Sequence, residues 1–310
     1  MATLTLCLDI GGTKIAAGLA DPGGALVHTA IRPTPAGAVA EEVWDAVAAT
    51  IADALRVADG AVTAVGIASA GPIDLRSGRV NPINIRSWRG FPLRDRVAAM
   101  IPGVPGVPVR LGGDGVCMAL GEHWRGAGRG ARFLLGMVVS TGVGGGLVLD
   151  GIPYTGRTGN AGHVGHVVVE QAGRPCPCGG RGCVETVAAG PSLVRWARAN
   201  GWSAPPGAGA RDLAAAAAAS DPVAVRAFHR SATALAAMIA SVGAVCDLDL
   251  VVIGGGVANS GALLFDPLRA ALPKYAGLEF LAGLRVVPAE LGGEAGLVGA
   301  ARLAGLDRAP

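Results

Sequence analysis

The chain has 310 residues and a formal net charge of +3, and 51% of its residues are hydrophobic but only 4% aromatic. This length is enough for two domains that each bury a core. The arginines are scattered instead of forming a basic stripe with interleaved aromatic residues, which argues against a nucleic-acid partner. Neither an unbroken membrane-spanning run nor a signal peptide is predicted, so we expect no membrane partner and a cytoplasmic location.

The first half of the chain alternates between strands and helices. Residues 4–10 predict a buried strand, a turn follows at the two adjacent glycines, and residues 15–19 predict a second strand. Residues 41–57 carry apolar side chains at helical spacing, and residues 62–68 again predict a strand. This order favours an α/β protein with a mixed or parallel sheet covered by helices.

The second half repeats this layout. A helix is predicted from Asp114 through Trp124, a strand over residues 133–139, a turn at the glycine run 142–146 and a partner strand over residues 147–149. Further on, residues 212–245 are mostly helical by pattern, and residues 248–253 predict a buried strand closed by three glycines. The repeated strand-turn-strand pattern indicates an internal duplication, with a ligand cleft between the halves.

Three glycine-rich turns follow predicted strands and are candidate phosphate or nucleotide sites. Successive exposed N–H groups in such turns can form a nest for anions, although plain hairpin turns would explain either of the first two taken alone. None is a Walker A loop, and a dinucleotide fingerprint is doubtful because the first two turns lead into strands. The residues concerned are Asp9, Gly11, Gly12, Thr13 and Lys14, then Thr141, Gly142 and Gly144, then Gly254, Gly255 and Gly256.

Three cysteines lie within eight positions, at Cys176, Cys178 and Cys183, and His166 precedes them. Glycine and proline between them allow the backbone to fold back, so the four side chains can form the Cys3His set that holds structural zinc. A disulfide or free thiols remain alternatives, but a disulfide framework is typical of short secreted chains. The isolated Cys7, Cys117 and Cys246 are interpreted as small core residues.

Asp114 is the candidate catalytic residue. It follows a predicted strand at residues 107–113 and opens a predicted helix. A carboxylate at this point can serve as a general base, and the alternative is a helix N-cap, which is a common use of aspartate.

Several motifs, taken together and in order, resemble the ROK family of bacterial sugar kinases, repressors and related open reading frames, within the actin-like ATPase superfamily. They span nearly the whole chain: DIGGTK at 9–14, GIASAGPID at 66–74, STGVGGG at 140–146, GHVGH at 162–166 and the cysteine block at 176–185. The resemblance implies two actin-like (ribonuclease H-like) domains with a zinc-bound loop, closing around ATP, magnesium and a hexose. The first domain would comprise residues 1–113 completed by a C-terminal helix at 297–310, and the second residues 114–296. We also expect a homodimer.

By the same resemblance, Asp114 activates the sugar hydroxyl and Asp9 acts on magnesium through water. The turns at Gly11 and Gly142 would hold the phosphates, and the turn at Gly254 would hold the adenosine. Other residues expected to contact the sugar are Asn84, His163, His166 and Glu185. His166 is also expected to bind the zinc ion. Trp88 matches a family position bordering the sugar entrance, and an ordinary packing role explains it equally well.

Two departures from the family pattern bear on the acceptor. Gly113 replaces a sugar-binding asparagine, and His163 replaces a glutamate, so recognition of ordinary glucose is not expected to carry over. With histidine at this position, the chain resembles certain N-acetylmannosamine kinases. Some relatives phosphorylate C7 cyclitols, so a cyclitol is a further candidate acceptor. The predicted function is an ATP-dependent kinase for the primary hydroxyl of a hexose, an N-acetylhexosamine or a C7 cyclitol. The alternative is a non-catalytic sugar-binding sensor. Because the chain begins directly on its first strand, without the N-terminal DNA-binding region of family repressors, it resembles the kinases.

Overall fold

The computed structural model describes residues 3–37, 39–58, 61–101 and 107–306. Its packing divides the chain into two compact units. Unit 1 comprises residues 1–129, 152–161 and 293–310, and unit 2 comprises residues 130–151 and 162–292. The last four positions of the predicted C-terminal segment, 307–310, lie outside the described residues.

Within the described residues, strands and helices alternate along both units. The strands are β1 Thr3–Ile10, β2 Lys14–Ala20, β3 Leu26–Pro33, β4 Ala61–Ser69, β5 Ile73–Asp74, β6 Arg79–Val80, β7 Val109–Gly113, β8 Phe133–Val139, β9 Val143–Leu149, β10 Ile152–Tyr154, β11 Leu250–Gly254 and β12 Arg285–Pro288. The α-helices are α1 Ala40–Arg56, α2 Leu93–Ala99, α3 Asp114–Arg125, α4 Glu185–Ala188, α5 Gly190–Ala199, α6 Ala210–Ala218, α7 Pro222–Cys246, α8 Ala262–Ala271 and α9 Ala295–Ala304.

The sheet of unit 1 has the order β3-β2-β1-β4-β7. β1 runs antiparallel to β2 and parallel to β4, and β4 runs parallel to β7. The register pairs Ile10 with Ser69 and Ser69 with Gly113. The carboxyl ends of three neighbouring strands therefore meet at one edge, which places Asp9 and Asp114 on adjacent parts of the unit.

Unit 2 repeats this arrangement. Its strands follow the order β9-β8-β11-β12, with β8 antiparallel to β9 and parallel to β11, and β11 parallel to β12. These relations match those of β2-β1-β4-β7 in unit 1, so the duplication predicted from the sequence is confirmed at the level of topology. Each unit has its own buried core.

The prediction for the glycine run at 142–146 was wrong in part. The turn occupies only residues 140–142, and β9 already begins at Val143. Gly145 cannot carry a side chain in this strand, because a Cβ there would lie 2.8 Å from the backbone oxygen of Gly136 on β8. These glycines permit close strand packing as well as a turn, and composition alone does not separate the two uses.

The boundary predicted between residues 113 and 114 also differs from the packing. α3 packs against α9 and contacts β4 and β7, all of which belong to unit 1. The segment 126–129 belongs to unit 1 as well, and unit 2 begins at Gly130.

Among the described residues, one helix meets the length and composition of a membrane span. α7 has 25 residues, and its most apolar 18-residue window has a mean hydropathy of 1.2. In that window, 56% is buried within the protein, as in the core helix of a globular unit. Phe228, Leu235 and Ile239 of α7 belong to the core of unit 2.

Glycines allow α9 to approach its neighbours unusually closely. A Cβ on Gly66 of β4 would lie 1.8 Å from the oxygen of Ala300, and a Cβ on Gly299 would lie 1.6 Å from the oxygen of Cys117 on α3. A Cβ on Gly296 would lie 2.6 Å from Oδ2 of Asp9. The helix backbone therefore packs directly on β4, on α3 and on the Asp9 carboxylate.

We predict that Gly299→Ala destabilises unit 1 by about 3 kcal/mol, because overpacking of a dense core costs about 1–3 kcal/mol or more. Gly277→Ala is the matched control, since a Cβ there meets no atom within 4 Å. Urea unfolding of both variants measures the difference. Equal unfolding free energies for the two would show that α9 can move away without cost.

Candidate active site and metal centre

Asp9 is a half-buried acid near the end of β1. Burial raises the pKa of its carboxyl to about 6, the nearby Lys14 ammonium opposes this shift, and the negative charge of Asp114 adds to it. The charge on Asp9 is therefore poorly compensated by the protein. A carboxylate in this condition suits a bound cation.

The turn after β1 leaves backbone donors available. Gly11 donates its N–H to the oxygen of Lys14 at 2.9 Å, whereas the amides of Gly12 and Thr13 donate to no acceptor within the described residues. The Lys14 Nζ donates to the oxygen of Gly293 at 3.2 Å. Gly12 also lies under Asn84, since a Cβ on Gly12 would be 2.7 Å from the Asn84 side chain. Asn84 is exposed and borders this turn.

Asp114 occupies the first position of α3, and Gly113 is the N-cap. The alternative interpretation of Asp114 as the N-cap is therefore wrong. Asp114 is exposed, and its Oδ1 accepts the Gly115 N–H at 2.7 Å. A Cβ added to Gly113 would meet no atom within 4 Å, so open space lies beside the acid.

Trp88 has a packing role. Its side chain is fully buried and stacks on Phe91 with ring centroids 4.2 Å apart, and its Nε1 donates to the oxygen of Ala40. A side chain with these contacts is not available to line a sugar entrance.

In unit 2, the turn between β8 and β9 is joined to Glu185. The Val143 N–H donates to Glu185 Oε2 at 2.9 Å, and a Cβ on Gly142 would lie 2.7 Å from the same oxygen. A side chain at position 142 would therefore displace the Glu185 carboxylate from the turn. The Ser140 N–H donates to the oxygen of Gly142 at 2.8 Å, while the amides of Thr141 and Gly142 donate to no acceptor in the described part of the chain.

The remaining predicted nucleotide glycines lie at different points of the sheet. Gly144 is inside β9, paired with Val138, and Gly254 ends β11 opposite the same residue. Gly255 has φ +97°, so it forms the turn, and Gly256 follows it. Of these four glycines, only Gly256 borders the large cavity of unit 2.

A cavity of about 680 Å³ lies within unit 2 beside this turn. Thr141 and Gly256 border it, together with Gly190 at the start of α5. Three arginines also line it, at Arg195, Arg198 and Arg211. No local pattern in the sequence marks these arginines, because exposed arginines on helices are common. The fold brings them to one cavity.

The four predicted zinc ligands converge in unit 2. Their ligand atoms all lie within 4.8 Å of one another, with Cys176 Sγ 3.7 Å from His166 Nδ1 and Cys178 Sγ 3.8 Å from Cys183 Sγ. A tetrahedral zinc ion with Zn–S bonds of about 2.3 Å separates two sulfurs by about 3.8 Å. The observed spacing therefore fits zinc.

The charge state of the thiols also favours a metal. The Gly180 backbone N–H lowers the pKa of Cys178, whereas burial raises the pKa of Cys176 and raises that of Cys183 to about 12. Without a cation, the two buried groups would remain thiols. A divalent ion would stabilise the thiolates, as expected for a structural zinc site.

The metal cluster and the candidate sugar residues are neighbours along the chain. Glu185 lies two positions after Cys183 and begins α4. His166 presents Nδ1 to Cys176, which leaves its Nε2 for another partner. His163 is exposed, with its ring centroid 6.4 Å from that of His166.

Two units that each carry this strand order and a glycine turn define an α/β protein of the actin-like ATPase fold. The ROK family model matches residues 5–306. The glucokinase of Thermotoga maritima is 36% identical over 96% of this chain and 95% of its own, and an N-acetylmannosamine kinase of Escherichia coli is 36% identical over 97% and 98%. The crystal structure of a ROK family glucokinase from Streptomyces griseus in complex with glucose and AMPPNP has a TM-score of 0.82 at 38% identity, covering 97% of this chain and 99% of that one. The chain belongs to the ROK family.

We predict one tightly held zinc ion per chain, lost in Cys178→Ser and retained in Cys246→Ser, because Cys246 lies outside the cluster. Removal should increase hydrogen exchange in residues 174–185, since structural zinc contributes folding free energy locally. Metal analysis of protein purified without chelator provides the count. Protein free of zinc after that purification would disprove the prediction.

We predict that Asp9→Asn stabilises the ligand-free protein by about 1–2 kcal/mol at pH 7.5, after allowance for partial exposure. The pKa is raised from 3.8 to about 6 by folding, so the charged form destabilises the fold above pH 6. The gain should shrink below pH 6 and vanish below about pH 3.8, where both states are protonated.

Urea unfolding at several pH values measures this effect, with Asp45→Asn as the control because Asp45 is an exposed acid on α1. If the gain in unfolding free energy did not change with pH, its cause would be something other than the charge of Asp9.

Proposed function

We propose that this enzyme, an ATP-dependent carbohydrate kinase, transfers the γ-phosphoryl group of ATP to the primary hydroxyl of a hexose-like acceptor. The observation that carries the proposal is the pair of acids in unit 1, with Asp114 exposed at the start of α3 and close enough to Asp9 to raise its pKa. The nucleotide would use the unit 2 cavity beside Thr141 and Gly256.

Asp114 would act as the general base. Its carboxylate takes the proton of the acceptor hydroxyl as that oxygen forms a bond to the γ-phosphorus, and the bond from phosphorus to the ADP oxygen breaks. Donor N–H groups at Gly12 and Thr13 in unit 1, and at Thr141 and Gly142 in unit 2, would stabilise charge on the phosphates. Positioning and electrostatics supply most of the rate in such transfers.

The residues present fit a magnesium ion. Asp9 is an acid whose charge the protein does not neutralise, and a cation would relieve this penalty. Asp9 would hold the ion through water, as magnesium usually retains several waters. When bound with ATP, magnesium would neutralise charge on the phosphates.

Within this class of acceptors, we place N-acetylhexosamines such as N-acetylmannosamine ahead of glucose. Gly113 leaves open space beside Asp114 and supplies no side-chain hydrogen bond. His163 supplies a donor where a carboxylate could only accept. The glucokinase and the N-acetylmannosamine kinase compared above are each 36% identical to this chain, so sequence identity does not decide between the two acceptors.

A phosphorylation screen over hexoses, N-acetylhexosamines and C7 cyclitols tests the proposal, and Asp114→Asn is the matched inactive variant. We predict that this substitution lowers turnover on the best acceptor by about 10²- to 10⁴-fold, the usual contribution of a positioned base. Sugar binding should persist, because Asp114 is exposed and Gly113 provides the N-cap.

Unchanged turnover in the Asn variant would remove Asp114 from the mechanism. A wild-type chain that binds a sugar with ATP present but phosphorylates none of the panel would instead favour the sugar-binding sensor.

A further inference from the structure

Glu185 is a half-buried acid at the start of α4, and its carboxylate is held through one oxygen. Oε2 accepts the Val143 N–H at 2.9 Å, whereas Oε1 accepts no hydrogen bond from the other described residues. A carboxylate held in this way presents its second oxygen to a ligand in a defined direction. Oε1 can therefore accept a hydroxyl of a sugar or cyclitol.

The helix that carries Glu185 is too short to fix it alone. α4 has four residues, and the oxygen of Glu185 accepts the Ala189 N–H at 3.2 Å. A single helical turn is unstable by itself, because its formation fixes several residues for one hydrogen bond. The orientation of Glu185 therefore depends on contacts from outside α4.

Ser192 of α5 supplies one such contact. Its side chain is buried, and its Oγ donates to the backbone oxygen of Glu185 at 3.0 Å. Arg195, one turn further along α5, donates to the same Oγ at 2.9 Å. Because a guanidinium can only donate, the hydroxyl accepts from Arg195 and its own proton is left for Glu185.

Both contacts that fix Glu185 come from segments that border the large cavity of unit 2. Val143 directly follows the turn that begins at Ser140, and Ser140 lines the cavity, as do Gly190 and Arg195 of α5. The oxygen of Ser140 accepts the Gly190 N–H at 2.7 Å, which joins the turn to α5. The side chain and the backbone of Glu185 are thus tied to two segments that are tied to each other.

We infer that Ser192 is a positioning residue of the proposed reaction. Its hydroxyl holds Glu185 in the orientation in which Oε1 binds a hydroxyl of the acceptor. Ser192 does not line the cavity, so it acts through Glu185 and not on the nucleotide. The inference rests on the proposed function, with Glu185 as a contact of the acceptor.

Steady-state kinetics of the zinc-loaded chain, with N-acetylmannosamine and with glucose, test the inference. Ser192→Ala should raise the KM for the acceptor by about 3- to 10-fold, the usual contribution of one hydrogen bond. The kcat and the KM for ATP should stay within about twofold of wild type, because a misplaced Glu185 weakens acceptor binding equally in the ground state and the transition state.

The matched control is Ser241→Ala. The Ser241 hydroxyl also donates to a backbone oxygen, that of Ala237 at 2.9 Å, but it lies on α7 and does not contact Glu185. This substitution should leave all three kinetic parameters unchanged.

A double-mutant cycle separates positioning from a structural role. Glu185→Ala should raise the acceptor KM by about 10- to 100-fold, because a hydrogen bond to a charged group is lost. Ser192→Ala added to this variant should change the KM by no more than about twofold, since no carboxylate is left to position. A residue that only supported the packing of α5 would have its full effect in both backgrounds.

Equal effects of Ser192→Ala in the two backgrounds would overturn the inference, and so would an unchanged acceptor KM in the single variant. A KM for ATP that rises as much as the KM for the acceptor would also overturn it. If the wild-type chain turns over an acceptor while one of these results is obtained, only this inference fails. If the wild-type chain phosphorylates no acceptor, the proposed function fails with it.

Discussion

The direct contact of the α9 backbone with its neighbours is the constraint on which the candidate site of unit 1 depends. Gly296 lies against the Asp9 carboxylate, Gly299 against the backbone of Cys117 on α3, and Ala300 against Gly66 on β4. One helix thus fixes the strand that carries Asp9 and the helix that begins at Asp114. The spacing of the two acids follows from backbone packing, which is more rigid than a contact between flexible side chains.

The electrostatics of the two units differ in a way that suits different parts of a phosphoryl transfer. In unit 1, burial and the charge of Asp114 leave Asp9 with a raised pKa, and Lys14 compensates only in part. In unit 2, the cavity has three arginines and no acid among its described lining residues. The first environment attracts a metal cation, and the second offers donors to a ligand rich in acceptors.

The sequence predicted the elements with strong periodicity, such as β1, β8 and α1, because burial of one face determines their pattern. It also predicted the zinc cluster, because the ligands are close along the chain. The prediction for the glycine run was wrong in part, because the glycines of β9 permit strand packing as well as a turn. The sequence left two roles open for Trp88, and its burial in the core selects the packing role. The arginines of the cavity could not be predicted, since Arg195 and Arg211 come together only through the packing of α5 and α6.

Gly113 differs from the other glycines beside the acids. Gly112, immediately before it, is fixed by packing, since a Cβ there would lie 2.8 Å from the Leu303 side chain. Gly113 has an ordinary backbone conformation, with φ −66°, and space around it. A polar residue can therefore replace Gly113 without loss of foldability. A polar side chain introduced at position 113 would face the space beside Asp114, whereas the same change at Gly112 would have to displace Leu303.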